Sequence, residues 1–315
     1  MSEPFLIGLV GARGFVGREL IRLIARHPDL MLAYAVSREW AGKPVSDIAP
    51  EDNDECIFEA LDPDTCAKRR ADVVVLAMPD GAAEPYIEAL DRHAPQRIIV
   101  DLSADKRFDD AWTYGLPEHN RERIARARRI ANPGCYATAM QLSLKPLVPM
   151  FGGTPSVFGV SGYSGAGTKP GPRNDEGALA ENLMPYALAG HKHEREATRH
   201  LGAPVRFMPH VHPAFRGLTV TANVPFAAPI EQRALRRLFD EAYGAECFVT
   251  IQDDIPQLRS AVEKPDAVIG GLTISEDGTH IACVCAIDNL LKGAASQAVQ
   301  NINLSLGLEE TLGLL

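Results

Sequence analysis

The sequence predicts two domains, an α/β domain with a doubly wound parallel sheet followed by an α+β domain with a mostly antiparallel sheet. Three observations carry this. The chain has 315 residues, and domains run to about 150 residues each. Short apolar runs alternate with amphipathic stretches over the first 135 residues, the pattern of strands crossed over by helices. Beyond that point the strands follow one another with few helices between them.

In the first part, residues 5–10, 31–36, 73–77 and 97–101 read as buried strands, because they are nearly continuous apolar runs. Residues 16–26 and 82–93 repeat apolar positions at helical spacing. In the second part a helix over 136–148 precedes a strand at 156–161 and a glycine-rich loop at 165–172. A helix at 194–201 and strands at 205–208, 218–224, 248–251, 267–274 and 280–287 follow. Residues 291–306 return to helical spacing and are expected to pack back on the first domain. The expected division is 1–134 with 288–315, and 135–287.

Composition narrows the function classes. The net charge of −9 argues against nucleic acid or an anionic membrane as partner. No stretch approaches the roughly 18 apolar residues of a membrane span, and the first residues lack the basic start of a signal peptide. Six scattered cysteines without a CxxC pair suit a reduced, cytoplasmic protein with no structural metal.

The first strand runs into Gly8-Leu-Val-Gly11-Ala-Arg-Gly14-Phe-Val-Gly17 and then a helix. Glycines admit a tight turn and close backbone approach to a pyrophosphate, and the helix start supplies N–H groups and a positive dipole end. This predicts a Rossmann-type dinucleotide-binding domain. An NAD-selective site places an acidic residue at the end of the second strand. Here that strand ends in Ser37 and Arg38, a hydroxyl and a guanidinium that suit a 2′-phosphate, so NADP(H) is expected.

Asn132-Pro-Gly-Cys135-Tyr-Ala-Thr lies between a predicted strand and a predicted helix. A cysteine at a helix start is favoured as thiolate and can act as a nucleophile, although a lone cysteine is also common as a small buried residue. His191 and His193 are the leading acid/base candidates; His210 and His212 form a second pair, and the sequence does not rank the four. Ser103 and Arg107, at the end of a predicted strand, have the groups to hold a phosphate, and Arg216 a carboxylate; a charged surface loop is the alternative.

Together these segments resemble the N-acetyl-γ-glutamyl-phosphate reductases of arginine biosynthesis. The resemblance runs along essentially the whole chain: the glycine loop, LAMPDGAA (76–83), VDLSADKRF (100–108), YGLPE (114–118), NPGCYAT, SGYSGAG (161–167), GHKHERE, PHVHPAFRG and DNLLKGAASQAVQN (288–301). It implies a fold like the semialdehyde and glyceraldehyde-3-phosphate dehydrogenases, with the second domain serving substrate and subunit association. It implies Cys135 as nucleophile and His191, or else His193, as acid/base. Cofactor contacts are implied for Gly11, Arg13, Gly14, Phe15, Val16, Ser37, Arg38, Pro79, Ser164, Gly165 and Asn289. Substrate contacts are implied for Ser103, Arg107, Asn132, His210 and Arg216, and a homotetramer or dimer for the assembly. Carrier-linked aminoadipyl-phosphate and aspartyl-phosphate reductases share the mechanism, and a non-enzymatic NADP-binding protein is the alternative of another class. Two features depart from the family: no proline precedes the glutamate after His193, and His212 is an additional imidazole.

Overall fold

A computed structural model describes residues 3–48, 50 and 56–315. The chain divides into two compact units, residues 1–133 with 294–315, and residues 134–293.

In the first unit seven strands form one sheet: β1 (Phe5–Val10), β2 (Leu30–Val36), β3 (Phe58–Glu59), β4 (Val73–Leu76), β5 (Ile98–Asp101), β6 (Thr113–Tyr114) and β7 (Arg129–Ala131). Their order is β3-β2-β1-β4-β5-β7-β6, every pair parallel. The order reverses between β1 and β4, so the ends of these strands open at a switch point. Both sheet faces are covered. Val73 and Val75 join Leu20, Ile24, Val299 and Ile302 beneath α1 (Phe15–Arg26) and the C-terminal helix. Val74 and Leu76 join Tyr86, Ile87 and Leu90 beneath α3 (Glu84–His93), which packs on α2 (Pro63–Lys68). Two-sided burial is why these strands read as unbroken apolar runs rather than alternating ones.

The sequence pattern missed α2, α4 (Pro117–Ile124) and the short strands β3 and β6, while β7 is the strand expected before Asn132. Each missed element is brief, and two residues carry no period.

The second unit opens on α5 (Cys135–Leu144), followed by β8 (Ser156–Gly162), α6 (Glu176–Leu179), β9 (Met184–Pro185), α7 (Lys192–Leu201), β10 (Arg206–His212) and β11 (Leu218–Pro225). Then come α8 (Gln232–Tyr243), β12 (Val249–Ile251), β13 (Ala267–Ile274) and β14 (His280–Ile287). The sheet order is β12-β13-β14-β11-β8-β10-β9. It is mixed: β8 with β10 and β12 with β13 are parallel, the other pairs antiparallel. The β8–β10 connection is long and carries α7, as a parallel crossover requires. Expected as a helix to residue 148, α5 stops at Leu144 and tightens into a 3-10 turn over Lys145–Met150. Pro146 and Pro149 remove the N–H groups that a longer helix needs.

Residues 288–293, expected with the first domain, belong to the second unit. Asp288 is fully buried there. Its Oδ1 accepts from the Leu290 and Leu291 N–H groups, and its Oδ2 from Glu263 N–H. Two of these donors are local, two and three residues on, and organise a turn at this point. The C-terminal helix, α9 (Ala295–Leu306), therefore begins later than its periodicity suggested, and it lies in the first unit.

The tail beyond α9 is pinned inside the first unit. Arg121 Nε donates to Glu310 Oε2 at 2.6 Å, and Asn303 Nδ2 donates to Leu312 O at 2.9 Å. Buried His27 meets Asn303 Oδ1 through Nε2 at 3.1 Å, while its Nδ1 accepts from Asp29 N–H. Desolvation lowers the His27 pKa from its ordinary value, outweighing the Asn303 bond. The unfolded chain therefore takes up this proton first as pH falls. The contribution of neutral His27 to stability is intact above about pH 6.5 and is lost below it, toward the depressed folded value. Thermal melts from pH 7.5 to 5.5 should show a steeper loss for the wild type than for His27→Gln; parallel curves would remove His27 from the acid response.

Candidate functional site

The glycine loop leaves β1 and enters α1. Gly11 has φ +84°, and a Cβ placed there would lie 2.2 Å from Ala77 O. Only glycine fits that turn, and the turn brings the N–H end of α1 to the strand ends. Gly14 caps the helix, which starts at Phe15 and Val16. At the end of β2, Ser37 is buried and its Oγ accepts from Trp40 N–H at 3.3 Å. Arg38 is exposed on the following turn. Arg13 pairs with Glu39 at 3.1 Å, and the Arg18 guanidinium lies 4.7 Å from the Trp40 ring. This cradle, with a helix N-terminus and three arginines, fits a dinucleotide.

Pro79 is exposed in the loop after β4. That loop is tied to the loop after β5: Asp80 Oδ1 accepts from Ala104 N–H at 2.9 Å, and Asp105 Oδ2 from Gly81 N–H at 2.7 Å. Ser103 and Arg107 are built into this scaffold. Ser103 Oγ donates to Asp101 Oδ2 at 2.7 Å. Arg107 is buried, with Nε donating to Asn132 O at 2.9 Å and Nη2 to Leu102 O at 2.8 Å. Asn132 is buried as well; its Nδ2 donates to Ala294 O, and its Oδ1 accepts from Asn301. Three residues expected at the substrate thus hold backbone in the first unit.

In the second unit Cys135 is the first residue of α5, capped by Gly134, and is partly exposed. The helix dipole there favours thiolate. Glu196, fully buried on α7, accepts the Gly134 N–H through Oε1 at 2.9 Å. Glu194 accepts from Gly190 N–H at 3.1 Å and from Phe207 N–H at 2.8 Å. These two carboxylates lock α7 to the loop before it, to β10 and to the cap of α5. Sequence reasoning assigned a role to neither.

His191 is the N-cap of α7, and its Nδ1 accepts from His193 N–H at 3.1 Å. Neutral His191 therefore carries its proton on Nε2. Burial first, then the charges of Lys192, Arg173 and Arg195, push its pKa down to about 4. The ring stays neutral at physiological pH and is a hydrogen-bond donor at Nε2. It lies 5.5 Å from the Tyr186 ring and 6.4 Å from the Tyr136 ring. Burial raises the Tyr186 pKa to about 12, and the charge of Cys135 adds to it. Cys135, Tyr136, Tyr186 and His191 thus form one cluster. His193 turns to the buried face of α7 with Glu196 and Ala197, 4.9 Å from His191 between ring centroids.

The glycine-rich loop after β8 is fastened below. Ser164 N–H donates to Phe215 O at 3.0 Å, and Asn289 Nδ2 donates to Ser164 Oγ at 2.8 Å while its Oδ1 accepts from Gly217 N–H. A Cβ at Gly165 would approach Ser161 Oγ to 3.1 Å. Arg216 Nε lies 3.5 Å from the buried Asp288 carboxylate, so its charge is matched within the protein. His210 differs from expectation. With Met208 it lies on the sheet face opposite Phe207 and Val211, its ring tilted against that of Phe158 with centroids 4.2 Å apart. Phe207 meets Tyr136 at 4.7 Å, so His210 sits across the sheet from Cys135's helix, because strand side chains alternate faces. His212 is exposed, and its Nδ1 accepts from Ala214 N–H.

Among the described residues no three histidine, cysteine or acidic side chains converge as a metal site, and no helix is long and apolar enough to cross a membrane.

A parallel-sheet nucleotide domain and a mixed-sheet domain presenting a helix-start cysteine define the semialdehyde dehydrogenase class. Residues 6–127 match the semialdehyde dehydrogenase NAD-binding domain, and residues 135–289 the semialdehyde dehydrogenase dimerisation domain. Aspartate semialdehyde dehydrogenase II of Vibrio cholerae shares the fold at 20% identity and TM-score 0.78, covering 97% of this chain and 99% of that one. The Candida albicans aspartate semialdehyde dehydrogenase solved with NADP does so at 17% identity and TM-score 0.72, covering 96% and 98%. The chain is 50% identical over 308 residues to the N-acetyl-gamma-glutamyl-phosphate reductase of Xanthomonas campestris pv. campestris (strain 8004), covering 98% of both chains. It is 49% identical over 309 residues to that of Stenotrophomonas maltophilia (strain R551-3), again covering 98% of both. The chain belongs to the N-acetyl-gamma-glutamyl-phosphate reductase family.

Proposed function

We propose that the protein reduces N-acetyl-L-glutamyl 5-phosphate to N-acetyl-L-glutamate 5-semialdehyde and phosphate, a cytoplasmic step of arginine biosynthesis, through a thioester on Cys135. The observation that carries the chemistry is Cys135 at the start of α5 in one cluster with a neutral, oriented His191. The thiolate attacks the acyl carbon, and phosphate departs with the C–O bonding electrons. NADPH, when bound, supplies the hydride that reduces the thioester carbon. The resulting alkoxide accepts a hydrogen bond from His191 Nε2–H and from N–H groups at the start of α5; Gly134 N–H is committed to Glu196. Collapse breaks the C–S bond, releasing aldehyde and restoring the thiolate.

NADP(H) rather than NAD(H) fits Ser37, Arg38 and Arg13, with Gly11, Gly14, Phe15 and Val16 forming the pyrophosphate turn. Arg38→Ala should weaken NADPH binding by roughly tenfold to a hundredfold, the worth of a charge-assisted bond, and leave NADH binding unchanged. Fluorescence titration with both nucleotides checks this, and equal losses for the two would assign the 2′-phosphate elsewhere.

A homo-oligomer, dimer or tetramer, would use the face of the second sheet opposite α5. Phe158 is 40% exposed there beside His210, more apolar surface than a solvated strand needs.

The decisive assay is NADP⁺ reduction by N-acetylglutamate 5-semialdehyde in the presence of phosphate. Turnover that requires phosphate, and is weak with aspartate semialdehyde, is the expected result. Tight NADPH binding without turnover would overturn the substrate assignment.

A further inference from the structure

We propose that Arg173 holds the substrate's carboxylate in the Cys135-bearing domain, an inference that rests on the reaction above. Substrate and product of that reaction each carry one free carboxylate, and the domain needs a cation to receive it.

Most of the arginines expected to bind anions are engaged. Arg216 faces buried Asp288 at 3.5 Å, and in the other domain Arg107 donates to two backbone carbonyls. Arg173 differs in its surroundings. It is exposed, in the 3-10 turn Pro172–Asn174, and among the described residues no carboxylate pairs with it. Its guanidinium lies 4.7 Å from the centroid of the Tyr186 ring, and that ring is 5.5 Å from His191. Arg173 therefore stands one aromatic ring away from the acid/base candidate.

The backbone beneath it is held firmly. Asn174 Oδ1 accepts from Gly171 N–H, and its Nδ2 donates to Gly167 O and Lys169 O, each at 2.8 Å. Tyr186 N–H donates to Pro209 O at 3.2 Å, next to the β9–β10 pairing. Held against the Tyr186 side chain, to which it also hydrogen-bonds, the planar five-donor guanidinium keeps a further N–H edge. That edge matches a carboxylate with two parallel hydrogen bonds, and the contact lowers the entropy cost of binding. The positive charge near His191 serves a second end, since it helps to keep that ring neutral.

Reverse-direction kinetics with Arg173→Gln, Arg173→Lys and the control Lys169→Gln test this. Arg173→Gln should raise KM for the semialdehyde by roughly tenfold to a hundredfold. KM for phosphate should stay within about twofold, as expected for loss of uniform substrate binding. Arg173→Lys should fall between, keeping charge but not the paired geometry, and Lys169→Gln should behave as wild type. The des-carboxy analogue N-acetyl-4-aminobutanal should bind wild type and Arg173→Gln equally. Calorimetric titration of the semialdehyde without cofactor reads the same contact without turnover. An inactive wild type whose aldehyde affinity still drops in Arg173→Gln would overturn the reaction and keep the contact. Unchanged aldehyde KM and affinity overturns the proposal, and a rise confined to phosphate KM overturns it in favour of phosphate.

Discussion

Cys135→Ser abolishes turnover and leaves NADPH affinity unchanged; that is the expected result with the largest effect. Serine keeps the size of the side chain and its place at the start of α5. Its hydroxyl, however, is not ionised by a helix dipole, and no acyl-enzyme forms at a useful rate. Loss of the attacking group in nucleophilic enzymes costs on the order of 10⁴-fold or more. The readout is phosphate-dependent NADP⁺ reduction beside a fluorescence titration with NADPH. Alkylation provides a second readout, but Cys247 is exposed and Cys56 partly so, so labelled peptides need to be mapped by mass. Substantial turnover by the serine variant would remove the thioester from the mechanism.

Gly293→Ala should be nearly as damaging, although residue 293 carries no side chain and takes no part in the chemistry. A Cβ there would lie 2.7 Å from Cys135 Cβ and 2.6 Å from Asn289 O. Neither neighbour gives way easily: one is the root of the nucleophile, the other backbone of a turn held by Asp288 and Asn289. Overpacking of this kind costs about 1–3 kcal/mol of stability. Displacing the nucleophile by about 1 Å costs roughly a hundredfold in rate. Thermal melts and kcat measured together separate the two. A variant with wild-type kcat would show that Cys135 tolerates the shift.

The surroundings of His191 give its proposed acid/base role a physical form. His191 was favoured over His193 on resemblance, and the residues alone ranked neither above the other. The cap hydrogen bond to His193 N–H orients the ring, and burial keeps it neutral. Both depend on a turn formed by residues with no recognisable period.

Much of the molecule was legible from the order of residues. The apolar runs of β1, β4 and β5 were readable because burial on both faces removes polar alternation. The glycine turn was readable because Gly11 needs a positive φ and meets Ala77 O too closely for any side chain. Cys135 was placed at a helix start because Pro133 and Gly134 end the preceding strand. The boundary at 288 was misplaced because the helical spacing of 291–306 begins within a turn that Asp288 organises.

By itself, then, the sequence determined the α/β domain, the mostly antiparallel second domain, the nucleotide turn and the position of the cysteine, since each depends on local spacing and backbone sterics. Only the tertiary structure decided which polar groups are engaged. Arg107, Asn132 and Arg216 carry the right chemistry for an anion, but folding supplies them with carbonyls, amides and Asp288. His210 has the right ring, but strand alternation turns it to the far face. Arg173, Tyr186 and Glu196 look ordinary in sequence, and it is the long connection between β8 and β10 and the packing of α5 and α7 in one unit that gather them around Cys135. Those contacts join residues tens of positions apart, and no local period records which partner each side chain meets.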